Sequence, residues 1–385
     1  MGLTQEEKMT AYLDFCATTP VDNRVSVVVQ HYMETEFGNA GSRTHEYGMT
    51  ANRAVEEARS QVAEGCGAKP DEVLFTSGAT EANNLALLGL NAHAQETGCR
   101  HALALAIEHK AVLEPLTALA ASKNIEVELV PVDECGWVDP SEIANRLRPE
   151  TFVVSTMHAN NETGVIQPLH DIAEVLRGHS AYWHVDAAQT FGKAGGLDEE
   201  RIDLISLSGH KLYGPMGVGA LIARRRGYER PPLTPLMFGG GQERGLRPGT
   251  VPVPLVVGLG EACRLALTEQ DKRSSACVAE RSNLETALEP LEPVFNGDQN
   301  QVLPHVMNIS IPGLDAEAAM MILRDLVAIS NGSACTSSSY EPSHVLSAMG
   351  FTPQRASEAL RISWSHEPVP IDWSEVATRL ITTLR

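Results

Sequence analysis

Short apolar runs recur along the first two thirds of the chain, at 73–76, 102–106, 126–130, 152–156, 182–185, 204–207 and 218–223, and they alternate with stretches patterned like helices. Runs of this length predict strands. Strand and helix in alternation predict an α/β domain on a largely parallel central sheet. In such sheets ligands collect at the carboxyl ends of the strands, which is where the polar, glycine-rich segments of this chain fall. Beyond about Pro254 the pattern changes. Helical stretches at 256–267 and 275–288 precede strand-like 306–310 and 360–363, and a last helix is predicted from about Ile371 almost to Arg385. This second part predicts a smaller α+β domain. No internal repeat, low-complexity tract or long polar linker interrupts the chain.

Composition narrows the picture. A length of 385 residues allows two or three domains, or one large domain with a smaller one attached, and 43% apolar with 21% charged residues is ordinary for a globular protein. No apolar run reaches the roughly 18 to 20 residues that span a bilayer, and the first residues lack the basic and apolar regions of a secretion signal, so no membrane association and a cytoplasmic address are expected. The formal charge of −19 repels nucleic acid, and direct nucleic-acid binding is not expected. The tight basic cluster, Arg224, Arg225 and Arg226, reads as a solvated turn. Seven cysteines, an odd number with no Cys-x-x-Cys pair, suggest reduced thiols and no structural metal site.

Four segments carry chemistry. Thr76 to Glu81, with Ala79 and Thr80 at its end, follows a strand and opens an Ala/Leu-rich helix; its N–H groups and hydroxyls suit a phosphate, although Ser and Thr are equally ordinary helix caps. Asp186 ends a strand, where a carboxylate either pairs with the protonated ring nitrogen of pyridoxal phosphate or caps the next helix, and Gln189 lies three residues on. Ser208-Gly209-His210-Lys211 closes the following strand and leads into a permissive turn, Tyr213 to Gly217. A lysine restrained there, in a low-dielectric pocket near another cation, loses proton affinity and can attack an aldehyde; most lysines are simply surface charges. Finally, Asn331 to Ser339 is small and polar and carries Cys335, a thiol placed to reach a substrate and then an acceptor.

Taken together these segments resemble the cysteine desulfurases, in the class V aminotransferase group of fold type I pyridoxal-phosphate enzymes. The resemblance runs from Tyr12-Leu13-Asp14 and Ala17 to Pro20, through Gly38-Asn39, Thr76 to Glu81, Glu108-His109, His158 with Asn160 to Gly164, His184 to Gln189 and Ser208 to Pro215, to Arg247-Pro248-Gly249-Thr250 and Ser333-Ala334-Cys335. It implies a large cofactor-binding domain at 18–255 and a small domain, 1–17 with 256–385, that carries the cysteine loop. It implies that Lys211 holds the cofactor covalently and that Asp186 pairs with the pyridine nitrogen. Asn161 and Gln189 position the ring, His109 stacks on it and moves protons, and Ala79, Thr80, Ser208 and His210 surround the phosphate. Thr250 reaches in from the partner subunit of a homodimer. Arg361, assisted by Asn39, takes the substrate carboxylate. The implied reaction converts L-cysteine to L-alanine and leaves a persulfide on Cys335 for an acceptor protein.

Several positions depart from that pattern. Phe15-Cys16 stands where many relatives have Asn-Ala, and Cys16 is expected to pack near the substrate rather than react with it. Pro248 replaces a common serine, and Ile362 to Pro368 replaces a glycine-containing turn. The chain ends after one further helix, which points away from iron–sulfur assembly and toward the branch paired with DNA phosphorothioate modification. The competing readings are another fold type I enzyme, such as an aminotransferase or a selenocysteine lyase, and a catalytically idle sulfur-transfer scaffold. Cys335 separates the first from a desulfurase, because transamination needs no thiol.

Overall fold

The computed structural model describes residues 10–123, 125–332, 343–367 and 369–384. Its strands in chain order are β1 Ala11–Tyr12, β2 Val73–Thr76, β3 His101–Leu105, β4 Glu126–Val130, β5 Thr151–Met157, β6 Tyr182–Asp186, β7 Leu204–Ser208, β8 Gly219–Ala223, β9 Val294–Phe295, β10 Val306–Ser310, β11 Val327–Ala328 and β12 Ala359–Ser363. Seven of them form one sheet in the order β2-β8-β7-β6-β5-β3-β4, in which β8 pairs antiparallel with both neighbours and the other pairings are parallel. Strands β3, β5, β7 and β8 are buried along their whole length, as expected where both sheet faces are covered. The edge strand β4 instead turns Glu126 and Glu128 outward, which blunts an edge that would otherwise invite pairing.

A second sheet, β12-β10-β9, is antiparallel, and β1 pairs with β11. Around it gathers a separate apolar cluster that includes Leu284, Leu288, Ile309, Leu360, Trp364 and Leu380, joined by Ala11 and Leu13 from near the start of the chain. The helix Val253–Thr268, which follows the change of pattern near Pro254, turns Val256, Leu259, Ala262 and Leu265 into the core of the large sheet. The last helix is shorter than its pattern suggests, Trp373–Ile381, with Asp372 accepting from the Glu375 N–H at its start.

The three adjacent arginines do not form a solvated turn. Arg224 is buried, with a guanidinium that donates to the carbonyls of Leu197, Glu199, Ile202 and Cys66. Arg225 pairs with Asp71. Arg226 pairs with Asp203 at 2.6 Å and lies 4.3 Å from the centre of the Tyr182 ring. Charge in a basic run says nothing about local carbonyls, and here β8 delivers the run to a set of chain ends whose acceptors need donors. No helix among the described residues is long and apolar enough to cross a membrane.

Candidate active site

A cleft of about 510 Å³ opens where β6, β7 and the helix Ala79–Gly89 meet. Its lining includes Ala79, Thr80, His109, Asn161, Asp186, Gln189, Ser208, His210, Lys211 and Arg361, so the fold brings together nearly all the residues singled out from the sequence. Strands β6 and β7 are parallel neighbours, so their carboxyl ends deliver Asp186 and Ser208 side by side. Three candidates stand apart. Asn39 is exposed and outside this lining; its carboxamide oxygen accepts the Gly41 N–H at 2.8 Å and closes a local turn. Thr250 is also exposed and outside the lining. Cys335 lies outside the described residues.

The phosphate-binding expectation rests on the start of the helix Ala79–Gly89. Its cap position is Gly78 at φ 153°, where a side chain would be strained, and no side chain caps it. A Cβ on Gly219 of β8 would press on Gly78 Cα at 2.7 Å, so two glycines let strand and loop close together. The residues that read as caps have other partners: the Thr76 hydroxyl donates to Gly78 O at 2.9 Å, and Glu81 accepts the Ser77 N–H at 2.6 Å while holding Arg247 at 2.8 Å. The positive end of the helix therefore stays uncapped by side chains beside the hydroxyls of Thr80 and Ser208, a suitable seat for an anion. His210 stands next to it. Burial first, then the charges of Lys211 and Lys193, push its imidazole down to about 4, so it is neutral, with Nδ1 3.1 Å from the Thr18 hydroxyl.

Lys211 sits on the single turn Gly209–Lys211 that ends β7. Tyr213 is held at φ 64° two residues on, where its N–H donates to the Thr19 hydroxyl at 2.8 Å. The Lys211 ammonium donates to the carbonyl of Cys16, which also accepts from the Gln189 amide at 3.0 Å. Cys16 is buried against Ala159, Leu303 and Val306, as its packing role predicts, and it also lines the cleft. The carboxamide oxygen of Gln189 is buried without a partner, an acceptor left for a ligand.

Asp186 is nearly buried, accepting from Asn83 Nδ2 at 2.7 Å and from the Ala188 N–H at 2.9 Å. Behind it Glu108 is fully buried, and burial first, then the charge of Asp186, raises its carboxyl well above its ordinary value, against a backbone hydrogen bond at Met157. His109 is lowered chiefly by burial and then by Lys211, with Asp186 opposing. Its Nδ1 accepts the Ala111 N–H at 3.1 Å, which leaves the proton of the neutral ring on Nε2.

Arg361, on β12, is buried and spans both cores: it donates to Asn161 O at 2.9 Å and to Asp14 at 2.5 Å. The same residue's backbone pairs with Ser330, just before the cysteine segment. Both borders of that segment meet at Glu162. Ser343 donates to its carboxylate at 2.5 Å, and a Cβ on Gly332 would stand 3.3 Å from it. Asn83, Asp14 and Glu162 are the partners that sequence reasoning left without roles. Asn83 had a local signal, one helical turn after Ala79. No spacing rule links Glu162 to Ser343 across so much chain. The three groups at one sheet edge with metal-ligand chemistry, His101, Glu126 and Glu128, are engaged with Arg148 and Arg146 at 2.8–3.1 Å from the carboxylates.

Comparison with known proteins agrees with this geometry. The family profile described as aminotransferase class-V matches residues 11–367. Cysteine desulfurase IscS of Klebsiella pneumoniae is 43% identical over 360 residues, which cover 92% of this chain and 88% of that protein. Among solved structures, DndA from Streptomyces lividans is 50% identical with a TM-score of 0.81, covering 91% of this chain and 98% of that one. SspA in complex with cysteine is 35% identical with a TM-score of 0.83, covering 94% of this chain and all of that one (100%). The chain therefore belongs to the class-V aminotransferase family and, within it, to the cysteine desulfurases.

Proposed function

We propose that the protein takes sulfur from L-cysteine, with pyridoxal phosphate held at Lys211, and passes it through a persulfide on Cys335 to an acceptor protein. The observation that carries the reading is one cleft in which an uncapped helix start, a strand-end carboxylate, a turn-end lysine and a buried arginine converge. The residues fit the cofactor. The open helix end with Thr80, Ser208 and His210 suits the phosphate, Asp186 the ring nitrogen, the orphaned oxygen of Gln189 and the side chain of Asn161 the ring's polar edge, and His109 its face. When bound, the cofactor supplies an electron sink for the substrate's Cα.

The chain's own groups do the rest. Asp186, fixed by Asn83 and Ala188, places its carboxylate at the ring nitrogen, with Glu108, raised by burial and by Asp186, behind it. Lys211 and the Nε2 of His109 move protons at the substrate carbons. Arg361, oriented by Asp14, binds the substrate carboxylate. The Cys335 thiolate attacks the substrate sulfur; a sulfur–sulfur bond forms as the carbon–sulfur bond breaks, the electron pair stays with carbon, and a proton completes L-alanine. The borders of the cysteine segment, at Glu162 and beside Arg361, support this role. Cys335 is three residues from Gly332, a reach of about 10 Å in extended chain.

The same reading makes the protein a cytosolic homodimer in which Thr250 serves the partner's phosphate site. The free thiols Cys16, Cys66, Cys99, Cys135, Cys263 and Cys277 support a reducing compartment. Likeness to the Streptomyces lividans protein, with the Phe15-Cys16 variation, supports delivery to a DNA phosphorothioate-modifying partner. Likeness to IscS supports iron–sulfur assembly as the second pathway. Incubation with L-cysteine tests the activity. Alanine and reducible sulfur in equal amounts are expected, whereas a keto acid without alanine would establish transamination instead.

A further inference from the structure

Behind the active-site cleft, where the helices Val253–Thr268 and Gln270–Leu288 approach the second sheet, lies a separate cavity with about 40 Å³ of room. Lys193, Arg273, Ser274, His305, His366 and Trp364 help to line it. No carboxylate is among the described residues that line it. Arg273 is held by Glu269 at 2.8 Å and by Asp22 at 3.6 Å, and Arg24 claims the same two carboxylates at 2.6 and 2.7 Å. Lys193 is the third cation, and its recorded partner among the described residues is a neutral ring nitrogen, His305 Nε2, at 3.4 Å.

The other ionisable groups of the wall do not supply the missing charge. Burial pushes the Cys277 thiol up to about 11 and the Tyr213 phenol up to about 12, so both stay neutral. Burial lowers His305 well below its ordinary value and lowers His366, which leaves both uncharged at pH 7. Lys193 is itself lowered to about 8, first by burial and then by the charge of Lys211, and so remains mostly protonated at pH 7. An ammonium partly withdrawn from solvent whose partner among the described residues is an imidazole gains from a counter-charge supplied from outside the chain. Room for roughly one monatomic ion or two to three waters excludes an amino acid or a phosphate ester.

We propose that this cavity binds a small monovalent anion of the halide class as the counterion of Lys193, with Arg273 and Ser274 as further donors. The site is distinct from the cofactor cleft, and its occupancy is independent of the desulfurase reading. Because the anion binds the folded chain only, it stabilises by mass action.

The test uses the full-length holoenzyme. Crystals grown with bromide in place of chloride should show an anomalous peak in the cavity beside Lys193, and the peak should vanish in Lys193→Met. In solution, sodium chloride should raise the melting temperature above that in sodium gluconate, whose anion is too large to enter, and Lys193→Met should lose the difference. Water alone in the cavity of wild-type crystals would overturn the proposal. So would a bromide peak undiminished in Lys193→Met, which marks an adventitious ion only. The wild-type bromide map decides even if the variant does not fold.

Discussion

At the scale of single residues, the account turns on which groups the fold has left unsatisfied and which it has neutralised. Gln189 keeps an acceptor without a partner among the described residues, and the helix at Ala79 keeps an end that no side chain caps. Each is a cost in an empty protein and a contact in a loaded one. Lys211 is therefore expected to carry the cofactor covalently, so that the purified protein absorbs in the near-visible and borohydride reduction followed by peptide mapping places the adduct on Lys211. Lys211→Ala should lose the adduct entirely. An adduct on Lys193, another half-buried lysine, would redirect the assignment. These residue types were legible in the sequence because strand ends and glycine turns mark where chemistry gathers. Glu108 was legible as a letter beside His109 but not as a carboxyl raised by burial and by Asp186, which is far away in the chain and adjacent in space.

At the scale of elements, buried pairs and buried imidazoles connect the site to its frame. Arg59, on the helix Glu46–Glu64, makes two 2.8 Å bonds to Glu243, and Glu243 also accepts the Phe75 N–H of β2 at 2.9 Å. The segment so anchored leads to Arg247 and Thr250. Glu243→Ala leaves a buried guanidinium without its carboxylate and should cost about 3–5 kcal/mol in denaturant unfolding. A loss below 1 kcal/mol would mean that solvent reaches Arg59. His184 on β6 lies between Ser155 at 2.8 Å and Ser206 at 3.0 Å, and burial pushes both it and His158 down to about 4. The unfolded chain takes up those protons below about pH 6.5 and the folded chain resists them to about 4, so stability is full above 6.5 and falls as pH drops toward 4. The loss should approach the order of 3 kcal/mol per histidine by pH 4. Unfolding curves at stepwise lower pH check it; unchanged stability from pH 7 to 4.5 would contradict it. The seven strands of the large sheet were legible to within a residue or two from their short apolar runs, whereas the two-residue strands β1, β9 and β11 are too short to leave such a pattern. The arginines at 224–226 were misread because the carbonyl partners of Arg224 come from two segments distant in sequence, at 66 and at 197–202.

At the scale of the molecule, one chain leaves part of the site open. Thr80 and Thr250 are both exposed, and so are two large apolar side chains, Phe238 at 90% and Met216 at 67%, the latter in the lining of the same cleft as Thr80. Surface of that kind marks an interface. A homodimer is expected by light scattering at working concentration, and an active, cofactor-loaded monomer would contradict the shared site. The alternation of strand and helix announced the large sheet, and the ordered motifs announced the cleft. What the proposed second subunit would add through Thr250 follows from assembly, which a single chain's pattern does not encode. The central claim is that sulfur leaves cysteine onto Cys335. Mass spectrometry of the protein after brief treatment with L-cysteine tests it most directly: the persulfide is predicted on Cys335, with Cys335→Ser retaining the cofactor and releasing neither alanine nor sulfide, whereas a persulfide mainly on Cys16 or another thiol, or near wild-type turnover in Cys335→Ser, would contradict the account.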